Sequence, residues 1–76
     1  MWERELDKRK AILAKNIKVL RLQKDLAQEK LALEAGVDRT LVSKIERQIA
    51  NPSLEIMVKL AIILKVPVTV LLTEKI

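Results

Sequence analysis

The chain of 76 residues has no cysteine and no histidine. Disulfides are therefore excluded, which suits a reducing compartment. Zinc sites built on thiolate or imidazole are excluded too, as are catalytic triads and dyads that need either side chain. Trp2 is the one aromatic residue, so the core must be aliphatic, built from Leu, Ile, Val and Ala. A single glycine, Gly36, and two prolines, Pro52 and Pro67, leave little scope for tight hairpins. Leu and Ala favour helix, and these shortages together predict an all-α fold. The longest apolar run, residues 60–64, is far too short to cross a bilayer. Met1 is followed by charge instead of an apolar signal core. The expected location is the cytoplasm, with no membrane partner.

What is present is charge, unevenly spread. Residues 1–24 hold eight Lys/Arg against three Asp/Glu, which accounts for the whole net charge of +5; residues 25–76 hold seven of each. A basic surplus suits a polyanion, although a basic protein with no such partner would look the same by charge alone. The length makes one domain with one modest core. No linker, repeat or acidic cluster interrupts it, so no cofactor, metal or small-molecule ligand is expected.

Apolar spacing sets out the helices. Leu6, Leu13, Ile17 and Leu20 share one stripe, which predicts a first helix from about residue 3 or 10 to residue 24. Residues 1–9 read as a helical extension or an arm, and residues 10–76 as the domain proper. Residues 28–35 predict a short second helix closed by Gly36. Asp38 is a plausible N-cap for a third, over about residues 39–48. Asn51-Pro52 marks a turn, and Ser53 should cap a fourth helix over about residues 54–65. Residues 68–75 predict a last short helix, since the β-branched run has no second strand to pair with.

Gln28, Ala32, Gly36, Val42 and Ile45 stand at steps of four, four, six and three. A helix-turn-helix explains each one, with Gln28 beginning the second helix, where its amide can reach a phosphate. Ala32 is small enough for the second helix to cross closely over the third. Gly36 permits a sharp turn with positive φ. Val42 and Ile45 face inward, which leaves a polar front free to enter a major groove.

The segments "LAQEKLALEAG", "DRTLVSKIE" and "NPSLE", in that order, resemble the Cro and lambda-repressor type of helix-turn-helix domain, over roughly residues 10 to 73. The resemblance implies a compact five-helix domain that binds double-stranded DNA. By position, Arg39, Thr40, Ser43 and Lys44 would face base edges. Gln28, Arg47, Gln48 and Asn51 would hold the phosphate backbone. Arg21 and Glu46 occupy the places of a structural ion pair. Asp25, Gln48 and Lys65 stand where the family usually has glycine, and Ala27 replaces a capping Ser or Thr. Leu41 lies at the rim, against a thymine methyl or against the core. "DRT" followed by "SKIER" also looks like the small controller proteins of restriction–modification systems, although Leu41 replaces a usual tyrosine.

The apolar stripe near the C-terminus is too much for a monomer to expose. Part must fill the core, and the rest predicts a two-fold homodimer contact drawn from Ile62, Ile63, Val68, Val70, Leu71 and Leu72. Trp2 is expected to pack on its own domain or on a subunit, or to anchor a partner. The sequence thus predicts a transcriptional regulator acting as a dimer on a near-palindromic operator, either a controller protein or a phage-type repressor. The alternative is an antitoxin or other protein-interaction module whose DNA binding is secondary. No catalytic constellation is present, so an enzyme is not expected.

Overall fold

The computed structural model describes residues 1–75, which form four α-helices and one 3-10 helix. Ile76, the last residue assigned to the domain, lies outside the described residues. Helix α1, Trp2–Gln23, is 22 residues long, so residues 2–9 continue the helix without a break. Glu3 and Glu5 lie in its first turn and Arg21 in its last, which complements the helix dipole at both ends. Leu13, Ala14, Ile17 and Arg21 bury one face at steps of one, three and four. Trp2 remains 67% exposed, so it is not buried against its own domain, the first of its three expected placements.

Helix α2, Gln28–Ala35, begins at Ala27 with no side-chain cap. Leu31 and Ala32 turn inward and are fully buried. Helix α3, Leu41–Glu46, has six residues and seats Val42 and Ile45 in the core. Helix α4, Leu54–Leu64, begins where Ser53 Oγ accepts the Ile56 N–H at 3.2 Å. Ile17, Leu31, Ala32, Val42, Leu60 and Leu71 have no exposed surface. They fuse the helices into one aliphatic core.

All four α-helices close in the same way. The chain turns through a residue of positive φ: Asp25 (54°), Gly36 (71°), Gln48 (64°) and Lys65 (60°). The N–H of that residue bonds one orphan carbonyl and the next N–H bonds another, as in Leu26 to Arg21, Val37 to Ala32, Ile49 to Lys44 and Val66 to Ala61. These are Schellman closures, with an apolar residue following the left-handed one each time. A Cβ at Gly36 would meet nothing within 4 Å, so the turn asks for a dihedral angle and not for space. At the other three positions an L-residue holds a conformation that costs about 1–2 kcal/mol.

Helix α3 is shorter than the expected 39–48, and its N-cap is Thr40, not Asp38. The reason is local. Asp38 Oδ1 accepts both the Thr40 N–H at 2.8 Å and the Thr40 hydroxyl at 2.6 Å. The Leu41 N–H then reaches only as far back as the Asp38 carbonyl. This Asx turn competes with the α-helical ladder and delays it by two residues.

The last element is a 3-10 helix, Val68–Leu72, instead of a fifth α-helix. Pro67 supplies its extended lead-in at φ −60°. Asn16, 1% exposed on α1, directs its amide Nδ2 at the carbonyls of Val70, Leu71 and Thr73, at 3.1, 3.1 and 2.8 Å. Those carbonyls are drawn toward α1 and away from an α-helical pattern. Arg9 Nη1 adds a bond to the Leu72 carbonyl at 3.1 Å. Leu71, expected on the dimer face, is fully buried within the monomer because this latch turns it inward.

Candidate nucleic-acid interface

The candidate site is built on a two-sided α3. Its back is Val42 and Ile45, 0% and 2% exposed. Lys44 stands in solvent on its front beside the half-buried Ser43, and Arg39 and Thr40 are exposed in the turn that leads into it. Arg47 and Gln48 follow, both exposed, and Arg47 Nε makes a long contact of 3.4 Å with the Ser43 carbonyl. Asn51 is exposed on the turn that leads to α4.

The front is fixed in position by a buried network. Arg21 Nε donates to Glu46 Oε2 at 2.8 Å, and Arg21 Nη2 to Glu46 Oε1 at 3.1 Å. Both side chains are more than nine-tenths buried. Arg21 Nη1 also donates to the Leu26 carbonyl at 2.7 Å, so one guanidinium joins α1, α3 and the turn before α2. Gln28 Nε2 donates to Glu46 Oε1 at 3.0 Å, which places the Gln28 amide in the same network. No side chain caps the N–H groups in the first turn of α2, where the dipole favours an anion.

Arg39 lies 3.8 Å from Glu29 Oε2, with both side chains mostly exposed. Such a pair is worth little in water, so the guanidinium can leave it for a base or a phosphate at small cost. The Asp38 carboxyl is held below its ordinary value by the Thr40 hydroxyl first and the Thr40 N–H second. It therefore stays ionised at neutral pH.

Of the residues expected on the dimer face, Ile62 is 66% exposed, while Ile63, Val68, Val70 and Leu72 are half-buried. The sequence reading missed Leu54 and Val58, which are also exposed. They precede Ile62 at steps of four, so the three form one apolar stripe along α4. That spacing is visible in the sequence, but apolar spacing alone does not tell a buried face of a helix from an exposed one. Glu29, the neighbour of Arg39, was missed as well, because nothing in the linear sequence links residues 29 and 39. No helix among the described residues is long and apolar enough to cross a membrane.

Comparison with known proteins agrees with this geometry. The helix-turn-helix family HTH_3 matches residues 17–71. A hypothetical transcription factor of Neisseria meningitidis serogroup B is 42% identical over 52 residues, which is 68% of this chain and 49% of that protein. The chain thus spans about half the length of that relative. Control protein C.SmaI of Serratia marcescens is 38% identical over 66 residues, 87% of this chain and 79% of that one. The crystal structure of the restriction-modification controller protein C.AhdI from Aeromonas hydrophila superposes with a TM-score of 0.78 at 35% identity, covering 82% of this chain and 94% of that one.

Proposed function

The chain belongs to the helix-turn-helix family, and on that footing we propose that it is a transcription regulator that binds a near-palindromic operator as a homodimer in the cytoplasm. The observation that carries this reading is the division of α3. Val42 and Ile45 are sealed in the core while Arg39, Thr40 and Lys44 stand in solvent beside them. A helix so short buries its apolar side and keeps a cationic, hydrogen-bonding side outside, which is what insertion into a major groove requires.

In this reading Arg39, Thr40, Ser43 and Lys44 meet base edges and give sequence choice. Arg47, Gln48, Asn51 and the head of α2 at Gln28 meet phosphates and give affinity. Ile62, with Ile63, Val68, Val70 and Leu72, pairs two copies so that their α3 helices lie about 34 Å apart. Leu54 and Val58 extend that apolar face along α4. The likeness to C.SmaI and C.AhdI supports a restriction–modification controller as the biological setting. Repression would follow from covering a promoter.

The test is a footprint on the DNA upstream of the protein's own gene, repeated over a range of salt. Protection of two half-sites one helical turn apart, weakening steeply with salt, is the expected result. Failure to bind any duplex at low ionic strength would end the reading.

A further inference from the structure

An ionised carboxylate can only accept hydrogen bonds. Asp38 Oδ1 lies 2.6 Å from the Thr40 oxygen, so the hydroxyl proton must point at Asp38. The Thr40 N–H points at the same oxygen from 2.8 Å, and it holds the carboxylate where it captures that proton. Thr40 has one proton to give, and it is already given. What the Thr40 hydroxyl has left to offer a further partner is lone pairs alone.

We propose that Asp38 sets the polarity of Thr40, making it an acceptor-only reader that selects adenine over guanine at a purine, or cytosine over thymine at a pyrimidine. This deepens the reading of α3 as the base-contacting element and rests on it. The groove chemistry follows from the base edges. At the purine six-position, adenine offers an amino donor and guanine a carbonyl acceptor; at the pyrimidine four-position, cytosine offers a donor and thymine an acceptor. A free hydroxyl rotates to suit either. A hydroxyl locked by Asp38 meets guanine O6 or thymine O4 with lone pair against lone pair. Arg39, next along the chain, has the opposite character, since a guanidinium only donates. Adjacent residues would thus read opposite polarities. Asp38 touches no base in this scheme. It is a positioning residue.

The test begins with selection of preferred sequences from random duplexes by the intact protein. If no duplex is bound, the proposed function fails, and that outcome is distinct from those below. With a selected site in hand, each base is exchanged for its transition partner, A for G or C for T, and binding is compared for wild type, Asp38→Ala, Thr40→Val and Thr40→Ser. The expected result is one position per half-site where wild type and Thr40→Ser reject the exchange by roughly three- to tenfold, the range of one ordinary hydrogen bond. Asp38→Ala frees the rotor, and Thr40→Val removes it; both should lose that discrimination while keeping it at the other positions. Circular dichroism establishes that each variant is folded. The proposal is overturned if Asp38→Ala discriminates at every position as wild type does. It is equally overturned if the position sensitive to Thr40 prefers guanine or thymine.

Discussion

Arg21 and Glu46 are 25 residues apart in the chain and meet in two bonds of 2.8 and 3.1 Å, one to each carboxylate oxygen. Their contact ties α1 to the last residue of α3. Glu46→Ala should therefore cost roughly 3–5 kcal/mol, because it leaves a buried guanidinium without its counter-ion. Replacing both partners with Leu or Met of similar volume should cost far less. Urea unfolding of the two variants separates these outcomes, and equal losses would mean that the pair is not acting as a buried charge pair.

Arg39→Ala should flatten preference among operators, losing about 1–3 kcal/mol at one base position. Gln28→Ala should instead weaken all duplexes alike. Competition binding over a panel of single-base variants distinguishes the two. If Arg39→Ala left every preference intact, its assignment to a base edge would be wrong.

Gln48→Gly and Lys65→Gly should each stabilise the fold. The left-handed conformation costs an L-residue about 1–2 kcal/mol, and the extra freedom of glycine in the unfolded chain returns about 0.4–1. A net gain of roughly 0.5–1 kcal/mol is expected, and thermal melting would show it as a rise of a few degrees. An unchanged or lower midpoint in both variants would contradict the strain at these two turns.

Asn16→Ala should destabilise by about 2–4 kcal/mol, because it strips donors from buried carbonyls at the C-terminal latch. Asn16→Asp should be worse, since a carboxylate would face the same carbonyl oxygens. Asn16 Oδ1 already has no partner among the described residues, so the site offers a carboxylate no compensation. Chemical denaturation ranks the two variants, and near-neutral behaviour in either would refute the latch.

The Asp38 carboxyl gives a pH dependence with a definite sign. Its folded value is depressed below 3.8 by the Thr40 hydroxyl and N–H. The stability it lends to the start of α3 is thus present above the unfolded value and lost as pH falls through the lower folded one. Carboxyl NMR titration should place its midpoint below 3.8, and Thr40→Val, which removes the larger cause, should move it up. A midpoint at the ordinary value in wild type would mean that the Asx turn does not form in solution.

Much of this architecture was legible residue by residue. Helix α2 has the bounds the sequence suggested, because Gly36 and the flanking apolar residues punctuate both ends. The three places where the family usually carries glycine, Asp25, Gln48 and Lys65, are the three non-glycine residues with positive φ among the described residues. The start of α3 was not legible, because Asp38 suits a helix N-cap and an Asx turn equally well. Nor was the division of the C-terminal stripe. Core and interface both select apolar side chains, so only the latch from Asn16 reveals that Leu71 turns inward. Glu29 beside Arg39 could not be found by any periodicity, since the two belong to different helices.

The brevity of α3 has a practical consequence. Six residues hold fewer than two turns, too few to persist as a free peptide. Its shape is lent by Arg21, Val42 and Ile45, all of which look away from the groove. Reprogramming the protein is therefore a matter of repainting single outward side chains in place. Transplanting the segment into another scaffold would move its letters and leave behind the grammar that gives them meaning.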